Sequence, residues 1–250
     1  MKKLIILFLT FFVIPFSVFA SYPKTDVQKI YDTETYRDFV YFMYDSPTES
    51  KLPDELRSIT DFIESSDFDD EAKIISKSQV FQIVGEYLIK TKTTLNDKNG
   101  KVFTEDGLDE IDKISNINKN EEALIVKADL LGNYIMLGSS YIFSKGIESS
   151  KVLDRALKLN KENPRSILID SEKKIYAPGL FGGDKEKAKQ QLKELIGNYE
   201  LLPKDAFEAV RNLGIIAAKE GKDDFAATYY SYATNIFPNN LDVIKLKSEL

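Results

Sequence analysis

Cysteine, histidine and tryptophan are all absent from the 250 residues of this chain. Without histidine and cysteine there can be no Ser-His-Asp or Cys-His catalytic pair, no HExxH zinc site and no ordinary proton shuttle near neutral pH. Without cysteine there are also no disulfides, so a packed core has to hold the fold together. Because no motif for carboxylate, lysine or tyrosine chemistry is present, we predict a protein that is not an enzyme and has no cofactor and no metal site.

Positive charge is in deficit, with 34 Lys and Arg residues against 40 Asp and Glu residues and a formal net charge of −6. An acidic surface disfavours contact with nucleic acid and with anionic lipid, both of which carry negative charge. We therefore expect no nucleic-acid partner.

Long apolar runs are missing apart from one at the start of the chain. Residues 1–3 form a basic head, and residues 4–19 are almost wholly apolar and lead to Ala20. This order is typical of a secretory signal peptide over residues 1–20, with cleavage after Ala20 and, without cysteine, no lipoprotein signal. The alternative is a retained anchor, but the run is shorter than the roughly 20 residues that span a membrane. The prediction is a periplasmic or secreted protein with no stable membrane insertion after cleavage.

Apolar residues recur at three- and four-residue spacing through most of the chain, which is typical of amphipathic helices. Segments 25–46, 53–64 and 69–92 show this pattern, and residues 107–142 resume it. Between them, the pair Asn99-Gly100 predicts a tight turn. Strand patterns are nearly absent, so the predicted fold class is all-α.

Residues 207–240 form a stretch of 34 residues in which small and large side chains occupy regular places. Two short antiparallel helices need small residues where their backbones approach and large residues in the gaps between them. The informative positions are Val210, Leu213, Gly214, Ala217, Ala226, Tyr230, Ala233 and Pro238. In length and at these positions the segment resembles the tetratricopeptide repeat family. An ordinary helical hairpin is the alternative interpretation.

Two less regular segments precede this one. Residues 130–163 resemble a repeat best in their second half, and residues 164–203 resemble a pair that an insertion interrupts. The resemblance implies a right-handed solenoid of antiparallel helix pairs over residues 107–250. Residues 21–106 would then be an N-terminal helical region, either a cap or divergent repeats.

In this family the first helix of each pair lines a concave face that binds extended peptides or segments of partner proteins. Carried over by repeat position, that face contains Tyr134, Tyr141, Leu168, Glu172, Tyr176, Arg211, Ile215 and Lys219. The resemblance therefore implies an exported scaffold or adaptor that binds a protein or peptide partner in its groove.

Other functions stay open at this point. The segment 176–192 is similar to a variant in bacterial repeat proteins associated with periplasmic transporters, which implies a small-ligand-binding component with a closed pocket near residues 176–184. A carboxylate-based glycan hydrolase would need two facing acids, and no sequence can show such a pair.

Two loop motifs have both a structural and a ligand-binding interpretation. Gly182-Gly183-Asp184 precedes a helix and could cradle an anion, but an aspartate there is better suited to capping the helix. Residues 95–106 have the length of a calcium loop but begin with Leu95 instead of an acid, so they favour a surface turn.

Overall fold

The computed structural model describes residues 24–250, so the predicted signal peptide and its cleavage site lie outside the described residues. Within residues 24–250 there are twelve α-helices and a single two-stranded ladder, which confirms the all-α prediction. No helix in this part of the chain is both long and apolar enough to cross a membrane. The helices are α1 (Asp26–Tyr31), α2 (Glu34–Asp45), α3 (Leu52–Ser65), α4 (Asp70–Thr91), α5 (Gly100–Ile111), α6 (Glu121–Leu137), α7 (Ile147–Leu159), α8 (Pro164–Tyr176), α9 (Lys185–Asn198), α10 (Pro203–Lys219), α11 (Asp223–Ile236) and α12 (Leu241–Ser248).

Short polar side chains begin most of these helices by accepting hydrogen bonds from backbone N–H groups that have no partner within the helix. Asp69 accepts from the Ala72 amide at 2.7 Å at the start of α4. Asp184 accepts from the Lys187 amide at 3.0 Å at the start of α9, as the sequence predicts. The capping residues therefore fix where these helices begin.

The connection between α4 and α5 differs from the prediction. The tight turn lies at Asn96 and Asp97, both with positive φ, between the strands β1 (Thr94–Leu95) and β2 (Lys98–Asn99). Asn99 instead caps α5, its side chain accepting from the backbone amides of residues 101 and 102. Predicting the turn at Asn99-Gly100 was wrong because asparagine suits a helix start as well as a turn.

The pair α10–α11 matches the close helix contact that the sequence predicts. Gly221 turns the chain between the two helices with a φ of +69°. A Cβ atom on Gly214 would overlap the ring of Tyr230, and Ala226 and Ala233 are fully buried. Small side chains therefore permit the two backbones to approach and the tyrosine to fill the gap.

Substituting Gly214 tests this contact. We expect Gly214→Ala to lower the free energy of unfolding by about 1–3 kcal/mol, because the added methyl group overpacks a buried site. Tyr230 is only 1% exposed and has little room to move. The control Gly197→Ala lies in α9 with open space around it and should be neutral or stabilising by up to about 1 kcal/mol. Urea unfolding of both variants measures the difference, and equal effects would contradict the packing described.

Helices from the first and the last parts of the described chain pack together. Asp45, at the end of α2, accepts hydrogen bonds from the backbone and side-chain amides of Asn239, both at 2.8 Å. The rings of Tyr44, Phe207 and Phe237 pack together with centroids 5.1–5.8 Å apart. One core cluster accordingly contains residues of α1–α6 and of α10–α12. The helices therefore form a closed arc with a cavity inside it.

The predicted boundary between residues 106 and 107 falls inside α5. Helix α5 packs against both α4 and α6, so it joins the N-terminal helices to those that follow. Residues 24–106 share the same core cluster as the C-terminal helices.

Candidate functional site: a cavity between the helices

A cavity of about 700 Å³ lies between α4, α6, α7, α8 and α10. One part of its lining is the apolar wall, which comes from the end of α6, the short π-helix Ile142–Gly146 and α7. It consists of Ile135, Met136, Ile142, Ile147 and Leu153. Another part, the charged wall, comes from α4 and α10 and consists of Glu86, Lys90, Lys204, Glu208 and Arg211. Helix α8 contributes residues of both kinds, so the cavity is suited to a ligand with an apolar and a polar end.

Arg165, at the first turn of α8, is the hub of a buried polar network at one end of the cavity. Its guanidinium donates a hydrogen bond to the side chain of Gln79 and lies 3.4 Å from an Asp129 oxygen and 3.7 Å from a Glu122 oxygen. Burial raises the pKa of both carboxyl groups, and Arg165 opposes that rise. The network extends through Gln82, which hydrogen-bonds to Gln79 and to Asn133.

The charged wall contains two ion pairs. The Lys90 ammonium lies 2.6 Å from a Glu86 oxygen, and the Arg211 guanidinium lies 3.1 Å from a Glu208 oxygen. Burial would raise the pKa of Glu86, but Lys90 and Lys204 outweigh it and hold that pKa at about 2. Asp242 of α12 lies 3.4 Å from Arg211, which links this wall to the closing contact between the chain ends.

Glu172 and Tyr176 project from α8 and are joined through Asn212 of α10. The Tyr176 hydroxyl donates to the Asn212 side-chain oxygen, and the Asn212 amide donates to a Glu172 oxygen, both at 3.0 Å. Burial and the nearby carboxylates Glu208 and Asp129 raise the pKa of Glu172 to about 8. Burial therefore favours the protonated form of Glu172, and a cation close to it would favour the ionised form.

Lys204 has no carboxylate within ion-pair distance among residues 24–250, and its ammonium lies 5.9 Å from the centre of the Tyr44 ring. Burial opposes its charge, but Asp129 and Asp205 outweigh burial and raise the pKa of this lysine. It also lines a second cavity of about 180 Å³ next to Tyr31, Tyr36 and Phe237. Lys204 therefore stays charged between the two cavities.

The structure brings together four of the eight groove residues predicted from the sequence. Leu168, Glu172, Tyr176 and Arg211 line the cavity. Lys219 lies beside them, with its ammonium 5.4 Å from the centre of the Tyr176 ring.

The other three predicted residues, Tyr134, Tyr141 and Ile215, do not line the cavity. The rings of Tyr134 and Tyr141 pack together at 5.3 Å, and the Tyr134 hydroxyl donates to Glu105 at 3.4 Å. Helix α6 ends at Leu137, so Tyr141 lies in a separate 3₁₀ turn and the predicted helical register does not reach it. Ile215 packs into the largest core cluster.

Sequence reasoning missed most of the charged lining, including Glu86, Lys90, Asp129, Arg165 and Lys204. A usable signal was present, because Gln82, Glu86 and Lys90 recur every four residues along α4. Lys204, Glu208 and Arg211 recur at four- and three-residue spacing along α10 in the same way. Such polar stripes along buried helices indicate an internal polar surface, since isolated buried charges are costly.

Compared with protein-family models and with curated proteins, the chain matches no family and no curated relative.

Proposed function

We propose that this protein is a non-catalytic binding protein that holds a small amphipathic ligand in the cavity between α4, α6, α7, α8 and α10. The observation that carries the proposal is the exposure of the apolar wall. Ile135, Met136, Ile142 and Ile147 are 37–44% exposed although they line a cavity inside the helical arc. Apolar surface left exposed in a concave site is typical of a binding site.

The size of the cavity agrees with a small ligand. Pockets for small molecules are typically about 300–1,000 Å³, and about 700 Å³ lies within that range. Covering about 100 Å² of the apolar wall would contribute about 2.5 kcal/mol to binding, at about 25 cal/mol per Å². The polar end of the ligand would meet the charged wall and α8, where charged groups give orientation and specificity.

The closed arc favours a compact ligand over an extended peptide. Tyr44 of α2 lines the cavity and packs against Phe207 and Phe237, so the cavity is bounded on that side and a compact ligand suits it better than an extended peptide. Tyr176, Ala177 and Pro178 line the cavity, next to the loop that leads into α9. This arrangement supports the small-ligand alternative that the sequence left open.

We propose that the protein binds its ligand without converting it. The carboxylates of Glu86 and Glu208 are held in ion pairs and that of Glu172 in a hydrogen bond to Asn212.

We further propose that the helix pairs form a tetratricopeptide-like right-handed solenoid and that the protein is exported to the periplasm or secreted. The contact of Gly214 with Tyr230 and the burial of Ala226 and Ala233 support a repeat-like α10–α11 pair. Export is supported by the basic and apolar pattern of residues 1–20.

An adaptor that binds a protein partner is the second candidate. It is favoured by Leu180, which is 96% exposed two residues after Pro178 of the cavity lining. Together with Tyr176, which is 54% exposed, it gives an apolar rim that a partner segment could cover.

Binding of the neutral dye Nile red tests the leading proposal, because its fluorescence rises in apolar surroundings. We expect the purified protein to bind the dye, and the double variant Met136→Gln/Ile147→Gln to bind it at least about tenfold more weakly, a loss of about 1.4 kcal/mol. Both side chains are over 40% exposed, so the substitutions should leave the fold intact.

The matched control is Phe225→Gln/Ile244→Gln, which changes two exposed apolar residues outside the cavity. It should bind Nile red like the unchanged protein. Equal weakening by both double variants would contradict the cavity as the binding site. Loss of a captured protein in Tyr176→Ala, with no dye binding to any form, would favour the adaptor instead.

A further inference from the structure

Glu172 lines the cavity without an ion-pair partner. No lysine or arginine in residues 24–250 lies within 4 Å of it, whereas Glu86 and Glu208 of the same lining each have one. Within the described part of the chain, the hydrogen-bond donor to Glu172 is the neutral amide of Asn212, at 3.0 Å. A carboxylate at the surface of a cavity, held by a neutral donor, leaves an oxygen able to accept from a ligand.

The surroundings of Glu172 favour a positively charged group. The acids that act on it are Glu208 and Asp129, followed by Glu86, and Lys204 offsets them only in part. The nearby carboxylates therefore raise the cost of ionising Glu172, and an incoming cation would lower it. An anion placed at Glu172 would add to this repulsion.

The apolar side of the cavity defines the rest of the ligand. Leu168 lies on α8 one turn before Glu172 and lines the same cavity, and Met136 and Ile147 belong to the apolar wall. An amine with an apolar body could therefore place its ammonium at Glu172 and its hydrocarbon against these side chains. Ammonium groups donate up to three hydrogen bonds, which suits a carboxylate with one oxygen engaged.

We propose that the ligand is an organic amine with an apolar body, whose ammonium group donates to the Glu172 carboxylate. This inference rests on the proposed function, because it assigns the polar end of the ligand that the cavity binds. It adds a specificity for positive charge that the apolar wall alone would not give.

Three probes of equal chain length test the inference: octylammonium, octanol and octanoate, each titrated into the purified protein by calorimetry at pH 7. We expect octylammonium to bind at least about tenfold more tightly than octanol, because a charge-assisted hydrogen bond is stronger than a neutral one. Octanoate should bind most weakly, because it would bring a second carboxylate to Glu172. The Glu172→Gln variant should bind octylammonium no more tightly than octanol, and its affinity for octanol should be unchanged. Glutamine can still accept from Asn212, so the variant keeps that contact.

Glu194→Gln is the matched control, since Glu194 is an exposed acid of α9 outside the cavity. It should leave all three affinities unchanged. Equal affinities for the three probes, or an unchanged preference in Glu172→Gln, would overturn the inference while leaving the proposed function in place. Binding of none of the three would overturn the proposed function and the inference together.

Discussion

Replacing Arg165 with methionine should lower the free energy of unfolding by about 3–5 kcal/mol at neutral pH, because removing one partner of a buried ion pair leaves uncompensated charge. The guanidinium is the cation that lies within 4 Å of Asp129 and of Glu122 among residues 24–250. It also donates to Gln79, so methionine leaves that amide oxygen without its donor. Urea unfolding measures the loss.

The loss should depend on pH in a defined direction. Burial raises the pKa of Asp129 and Glu122 above their ordinary values, and removing Arg165 should raise both pKa values further. Such groups stabilise the fold most below the unfolded pKa and lose that contribution as the pH rises through the folded pKa. Arg165→Met should therefore lower the free energy of unfolding less at pH 4 than at pH 8.

Two controls make this prediction specific. Arg155→Met removes an exposed arginine of α7 that donates to Asn118, and it should change stability by no more than about 0.5 kcal/mol. Adding Asp129→Asn and Glu122→Gln to Arg165→Met should restore part of the lost stability, because the unpaired charges are then gone. A single Arg165→Met variant as stable as Arg155→Met would show that the buried network contributes little.

Replacing Glu172 with glutamine should stabilise the protein at alkaline pH and leave it unchanged near pH 4. The folded pKa of Glu172 is about 8, against an ordinary value of 4.5, so the unfolded chain releases this proton first. Stability should consequently fall as the pH rises from about 4.5 to about 8. Because one pKa unit corresponds to about 1.4 kcal/mol and the side chain is partly solvated, we expect a difference of about 2–4 kcal/mol at pH 9.

Several charged groups act on Glu172 and define the prediction. They are Glu86 on α4, Asp129 on α6, and Lys204, Glu208 and Arg211 on α10. In urea unfolding between pH 4 and pH 9, the difference in the free energy of unfolding between Glu172→Gln and the unchanged protein should grow as the pH rises. The control Glu194→Gln should show no such trend, and a gap that stays constant with pH would contradict the raised pKa.

Arg165 and Glu172 belong to the same internal surface. On one side of the cavity, acidic and basic groups form ion pairs with each other, and on the other side the lining is apolar. Buried ion pairs contribute little net stability compared with apolar packing. Their retention next to exposed aliphatic side chains is consistent with a polar surface kept for a ligand, as we propose. Ligand binding should then raise the stability of the protein in proportion to the logarithm of ligand concentration.

Local patterns were sufficient to predict several of the helices. Residues 53–64 and 69–92 were expected to be helical from their spacing, and α3 and α4 match these ranges to within one residue at each end. The contact of Gly214 with Tyr230 could also be predicted, since both residues belong to one helical hairpin and the spacing between them is local. The turn before α5 could not be, because Asn99 is equally suited to a turn and to a helix cap.

The closed arc and most of the cavity depend on contacts between residues distant in sequence. Asp45 meets Asn239 across nearly the whole described chain, and no local pattern encodes that pairing. Arg165 and Gln79 likewise come from helices that pack side by side only in the folded protein. Glu172 and Tyr176 both line the cavity because they lie one turn apart on α8, whereas α6 ends at Leu137 and Tyr141 lies beyond it.

The most direct test of ligand binding in this cavity uses the methionine methyl groups, because methionine occurs only at positions 1, 43 and 136. Met43 is buried in the core at 5% exposure, whereas Met136 lines the cavity and is 43% exposed. In NMR spectra of protein labelled at the methionine methyls, the neutral aromatic probe 2-naphthalenemethanol should shift the Met136 signal and leave Met43 in place. A probe that binds without moving Met136, or that shifts Met43 equally, would contradict a ligand site between these helices.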